Sequence, residues 1–120
     1  MYFKDLFEEH IPKANAVFIK VGWLDKDKPY TQGECPRKFI DKLKKIKLSM
    51  HTKGWHNCPF CDSAKSYSEY YIPILPTKNR KGYHAPEMIL HYIEKHNYLP
   101  PQEFIDAVMA YNEDFMKERI

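Results

Sequence analysis

The stretch WHNCPFC, residues 55–61, sets Cys58 and Cys61 two residues apart, and His91 and His96 follow far downstream. A tight turn between two cysteines directs both thiolates at one centre, and turn amides disperse their charge by hydrogen bonding, so the pair suits zinc. The chain holds only one further cysteine, Cys35. An odd thiol count argues against a disulfide framework and for metal binding. A metal that takes Cys58 and Cys61 together with two later donors ties distant parts of the chain to each other, which constrains the fold more than any local propensity.

Two more donors are needed. The pattern runs C-x2-C, 29 residues, then H-x4-H. Residues five apart on an ideal helix point about 140° away from each other, so His91 and His96 meet one ion only where the helix distorts or ends. Asn97 suits a left-handed helix end, which puts His96 where the last turn unwinds. His56, two residues before Cys58, is the rival donor, with His51, His84 and His10 behind it. Four protein ligands close the ion to chemistry and make it structural. Such zinc contributes ~10–16 kcal/mol in small zinc-finger peptides, comparable with a domain's net stability.

The elements VGWLD, HNCPFC and HYIEKHNYLPPQEF, spread over about residues 16–107, resemble a group of small bacterial and phage proteins of unsettled function that carry VGWL, H-x-C-x-x-C and HYIxxHxYxPPxxF. The resemblance implies a shared zinc-supported fold with Cys58, Cys61, His91 and His96 at the ligand positions. It implies no activity or substrate.

Periodicity predicts the rest. Tyr2, Phe3, Leu6 and Phe7 have helical spacing before Pro12, and AVFIKVGWL alternates as a core strand over 16–24. Cys35-Pro36 opens a basic helix with Phe39, Ile40, Leu43 and Ile46 on one face. Gly54 and Pro59 mark an irregular segment around the cysteines. SYSEYYIPIL reads as a strand in which Pro73 favours an edge or bulge. TKNRKG is a turn into a short strand near Tyr83. Helices follow from Pro86 to His96 and from about 101 to 118, the latter with Phe104, Ile105, Val108, Met109 and Phe115 at helical spacing. No repeat or linker divides the 120 residues. We expect a single α+β domain, residues 1–120, with a small, mainly antiparallel sheet and three to four helices, stabilised by zinc.

Charge and aromatic content point to a ligand. Residues 37–54 carry seven Lys and Arg against Asp41 alone, while the net charge of the whole chain is only +3. Lys65, Tyr67, Tyr70, Lys78, Arg80, Lys81 and Tyr83 mix cations with rings that can stack bases, so the hairpin is the expected binding surface for an anionic small molecule, a nucleotide or single-stranded nucleic acid. The lysine stripe Lys38, Lys42 and Lys45 is what a solvated helix face also requires. Cys35 reads as a helix-boundary residue rather than a nucleophile. Neither H-E-x-x-H, a P-loop, G-x-S-x-G nor the zinc-deaminase signature is present. The first twenty residues interrupt every apolar run with charge, so a cytoplasmic protein with no membrane partner is expected. The expectation is thus a non-catalytic, zinc-stabilised binding protein that sequesters an anionic ligand such as a nucleotide or a nucleotide-derived signal. A protein-interaction adaptor, a zinc-dependent hydrolase and a nucleic-acid-binding module are the alternatives, and homo-oligomerisation is left open.

Overall fold

The computed structural model of the chain describes residues 2–48, 50–61, 64–74 and 80–112, with the side chains of 50–55 left aside. Strands β1 (Glu8–Ile11), β2 (Ala16–Lys20), β3 (Met50–Asn57), β4 (Lys65–Pro73) and β5 (Lys81–Pro86) form one sheet in the order β1-β2-β5-β4-β3. Three α-helices accompany it among the described residues: α1 (Arg37–Lys45), α2 (Ile89–Lys95) and α3 (Gln102–Ala110). β2 runs parallel to β5 and every other neighbouring pair is antiparallel. The chain therefore has the expected α+β class and mainly antiparallel sheet. None of its described helices is long and apolar enough to cross a membrane.

The pleat sorts side chains onto two faces. Ile19, Tyr70, Ile72, Tyr83 and Ala85 occupy paired positions and turn toward the helices, where Phe104 meets Tyr83 edge-on at 5.7 Å and Phe39 at 6.1 Å. Phe39, Leu43, Ile89, Phe104 and Val108 are fully buried against this face. The opposite face carries Phe18, Lys20, Glu69, Tyr71 and His84, and it is covered in part by the N-terminal segment.

That segment departs from expectation. Residues 2–7 form no helix; they lie as a strap along β2, with the amide of Phe3 donating to Trp23 O, Leu6 to Lys20 O, and Lys20 to Phe7 O. Helical spacing of Phe3 and Phe7 is satisfied instead by stacking at 5.6 Å, with Phe3 edge-on to Trp23. A short run in which residues three or four apart are apolar is ambiguous, and here backbone pairing with β2 outweighs the helix option. Leu6 turns the strap with a left-handed φ of 72°.

Four further boundaries move. The strand expected over 16–24 ends at Lys20, because Gly22 takes φ 80° and leads the chain off the sheet. β3 replaces the irregular segment expected before the cysteines; its register on β4 shifts between His51 and His56, so no clean alternation announces it. α2 begins at Ile89, since Pro86 is held in β5 opposite Glu69. α3 ends at Ala110, while Phe115 and the remainder of the expected helix lie outside the described residues. Pro73 closes β4 opposite Gly82, and the amide of Ile74 bonds Lys81 O. Alternation then aims the missing donor of Pro73 away from β5, beyond the point where β3 meets β4 at Glu69.

The runs VGWL and HYIEKHNYLPPQEF each have a structural job in this fold. In VGWL, Val21 is fully buried, Gly22 passes within 2.9 Å of Ile89 measured from where a Cβ would stand, and the Trp23 indole donates to His84 O at 2.8 Å. In the late motif, Asn97 adopts φ 56°, Tyr98 is fully buried with its hydroxyl on Asp5, and Pro101 caps α3.

Candidate metal centre

Two short pieces of irregular backbone bring the donors together. The Cys58 amide bonds Ala64 O at 3.0 Å, closing the C-P-F-C turn at the exit of β3. α2 stops at Lys95, and His96 sits past its end at φ −127°, ψ 18°, with its amide still on Tyr92 O. Leaving the helix turns the His96 ring back over His91. The ring centroids are 4.9 Å apart and the two Nε2 atoms 3.2 Å apart.

Cys58 Sγ lies 3.4 Å from His96 Nε2, and Cys61 Sγ lies 3.3 Å from His91 Nε2. All four donor atoms fall within 4.8 Å of one another. Bonds of about 2.3 Å to sulfur and about 2.0–2.1 Å to imidazole nitrogen at tetrahedral angles put neighbouring donors roughly 3.3–3.8 Å apart. The residues present therefore fit a divalent ion held by two thiolates and two imidazoles. His56 is not in the cluster; its ring packs edge-on against Trp23 at 5.6 Å.

Burial pushes the Cys58 thiol above its ordinary value of 9.0, and the neighbouring Cys61 sulfur adds to this, while the amides of Phe60 and Cys61 aimed at the sulfur act the other way. A divalent cation held between the donors would reverse that balance, because it would supply the positive charge that two adjacent thiolates otherwise lack. The surroundings are aromatic. Phe60 lies 5.1 Å from His96 and 5.8 Å from Tyr92, Tyr30 lies 5.3 Å from Phe60, and the Tyr30 hydroxyl donates to His96 O. Rings that exclude water raise the cost of leaving the thiolates uncompensated.

The expected ligand surface is dispersed. Tyr70 and Tyr83 are 3% and 5% exposed and belong to the helix-facing core, which corrects their assignment to a stacking surface. The cause is the two-residue period: Tyr70 and Tyr83 share their face with Ile72 and Ala85. Burial raises the Tyr70 phenol to about 12, and Tyr83 is also raised, by burial and by its hydrogen bond to Glu103. Lys65 and Tyr67 are exposed near the start of β4, whereas Arg80 and Lys81 are exposed at the opposite end of the β4–β5 pair. The Arg80 guanidinium donates to Ala14 O at 2.6 Å. Lys78 lies outside the described residues.

Cys35 stands one residue before the α1 cap, which is Pro36, and its thiol points at Tyr98 O at 3.8 Å. Burial raises this thiol, the wrong direction for a nucleophile. A polar cluster on the second sheet face was not anticipated: Lys20, His84 and Glu69, all nearly buried and linked in a line. One signal for it was available in Lys20, a cation in the middle of the apolar run AVFIKVGWL.

Residues 1–109 match the model of a family described as a domain of unknown function, DUF7919, and the chain belongs to that family. No curated protein and no solved structure matches the chain.

Proposed function

We propose that this member of the DUF7919 family is a non-catalytic binding protein whose fold is fastened by one structural zinc ion held by Cys58, Cys61, His91 and His96. The observation that carries this reading is the convergence of four donor atoms within 4.8 Å of one another. Two thiolates and two imidazoles around one ion would complete a tetrahedron and leave no position for a reactive water, which weighs against the hydrolase alternative. Zinc is the ion of choice because mixed sulfur and nitrogen donors in tetrahedral array suit it, and because a redox-silent ion suits a staple.

The ligand in this proposal is anionic, of nucleotide size, and sequestered rather than converted, in a bacterial or phage setting. A groove of about 500 Å³ between the start of α1 and the end of α2 offers the space, with Arg37 and Lys95 on its walls beside Glu34 and Glu94. Its volume falls in the range of about 300–1,000 Å³ typical of ligand sites. The cations of the β4–β5 pair give less support, because they stand at opposite ends of the strands.

Metal quantification and mass spectrometry of small molecules released from denatured protein test both halves. One zinc per chain together with a co-purifying anion is expected. Substoichiometric metal removes the staple, and absence of any bound anion, with no nucleotide binding at low salt, removes the ligand reading.

A further inference from the structure

The positive charge of this chain is concentrated on one helix. Residues 37–48 hold six Lys and Arg against a single acid, Asp41, a charge of +5, so the remaining residues sum to −2 within the net +3. Helix α1 sets three of these cations in a row: Lys38, Lys42 and Lys45 are spaced by four and then three residues, which keeps them within about 60° of arc and along about 10 Å of axis. Lys38 and Lys45 are exposed and Lys42 is half-buried, while Phe39, Ile40 and Leu43 face the core. Lys47, exposed just past the helix end, adds a fourth cation.

Solvation alone does not call for this arrangement. A surface helix gains from acids one turn away from its cations, and from acids in its first turn, where the helix dipole is positive. The first turn of α1 has no acid and carries Arg37 and Lys38 instead, and Lys38 and Lys42 stand one turn apart with like charge. Asp41 lies about one turn from Arg37, Lys38, Lys44 and Lys45, and its one carboxylate pairs with Arg37 at 3.3 Å. Lys44 reaches Glu94 at 3.1 Å. Lys38, Lys42 and Lys45 are left with no ion pair among the described residues. Lysines suit the last turn of a helix, which accounts for Lys45 and not for Lys38. Repulsion within the row is relieved by a partner that brings several negative charges at once.

We infer that this face of α1 binds the phosphodiester backbone of a nucleic acid. Phosphates follow one another every ~3.4 Å of axis along a strand of B-form duplex, so the row spans about three of them, and each lysine that neutralises one releases condensed counterions. The only aromatic residue of 37–48, Phe39, is fully buried, and a lysine is a point charge, so the contact is with phosphate and carries no sequence preference. An anionic membrane is the poorer partner, because Phe39, Ile40 and Leu43 are committed to the core and cannot enter a lipid surface. A polymeric anion on this face goes beyond the nucleotide-sized ligand proposed above, whose groove is walled by Arg37 and Lys95 and by none of the three lysines.

The test is fluorescence anisotropy of a labelled oligothymidylate and of a mixed-sequence DNA duplex with the purified full chain, across a salt series. Binding is expected at low salt, with log K falling against log salt at a slope of about −2 to −4, as three or four phosphate contacts require. The tighter of the two arms identifies single strand or duplex as the source of the backbone. The triple variant Lys38→Gln, Lys42→Gln, Lys45→Gln is expected to weaken binding by about tenfold or more and to flatten the slope by about 2 to 3, while melting no lower than the parent because it removes repulsion. The charge-matched variant Lys4→Gln, Lys13→Gln, Lys26→Gln, at exposed positions off the helix, is expected to bind as the parent does. Absence of binding in both arms at low salt, equal losses in the two triple variants, or phosphatidylserine vesicles outcompeting the oligonucleotide would each overturn the assignment. Both triple variants retain Arg37 and Lys95, so a co-purifying anion in the groove is judged separately.

Discussion

The Lys20 ammonium sits 2.6 Å from Nδ1 of His84, and this contact decides the state of the imidazole. An ammonium donates and cannot accept, so Nδ1 must carry the lone pair and Nε2 the proton. That proton points at Glu69 Oε1, 2.7 Å away. On its other side Lys20 pairs with Glu9 Oε1 at 2.8 Å, so four strands are crossed by one line of polar side chains. Lys20 is 3% exposed and has the Phe3 ring 4.5 Å from its nitrogen.

Lys20→Met keeps the length of the side chain under Phe3 and leaves Nδ1 of His84 without a donor. It should cost about 1–3 kcal/mol, as expected for a buried polar group left unpaired. The double variant Lys20→Met, His84→Leu should lose less than the two single losses combined, because both remove the same bond. Denaturant melts measure this cycle, and imidazole nitrogen shifts check that His84 in the native chain is protonated at Nε2.

Exhaustive chelation should abolish the cooperative melt, and Cys61→Ala should destabilise by more than about 4 kcal/mol, the size that marks loss of a metal. His56→Ala should keep one metal per chain, since that ring faces Trp23 and not the donor cluster. Cobalt substitution reads the same centre optically: thiolate-to-cobalt absorption is expected in native protein and in His56→Ala, and is diminished in Cys61→Ala.

Asp5 carries a pH dependence with an unusual sign for a carboxylate. Burial raises it above its ordinary 3.8, more than the Gly22 amide and Tyr98 hydroxyl bonds lower it. A raised acid binds its proton more tightly in the folded state, so its contribution to stability is full below about 3.8 and is lost as pH climbs through the raised value. Asp5→Asn retains an acceptor for Gly22 and a partner for Tyr98 without the charge. Its melting temperature should exceed that of the parent at neutral pH, and the difference should vanish in acid.

Gly22→Ala should cost about 1–3 kcal/mol from its left-handed backbone alone, and more because the new Cβ meets Ile89 at 2.9 Å. Gly33→Ala, which meets only the Leu99 side chain at 3.0 Å, should cost less. Thermal melts of the two variants rank them directly.

The metal donors could be read from spacing because coordination imposes its own arithmetic. Two cysteines two residues apart and two histidines flanking a helix end satisfy it, and the structure brings those four side chains together. Helix faces were legible for the same kind of reason: Phe39, Ile40 and Leu43, or Phe104, Ile105 and Val108, recur at helical intervals and are buried as that period requires. The C-terminal ends of these patterns, and the strap over residues 2–7, were not, because short apolar runs satisfy more than one partner.

Local chemistry along the chain thus indicated which faces of α1 and α3 are buried, where α2 must unwind, and the set of donors from which the four that converge are drawn. Long-range contact settled the remainder: that β2 lies parallel to β5, that β3 exists at all, that Tyr70 and Tyr83 go inward, and that Lys20, His84 and Glu69 meet. A residue's period is a property of its neighbours in sequence. Which face of a strand is covered, and by what, depends on segments tens of residues away, and a buried lysine becomes tolerable only once those segments deliver its partners.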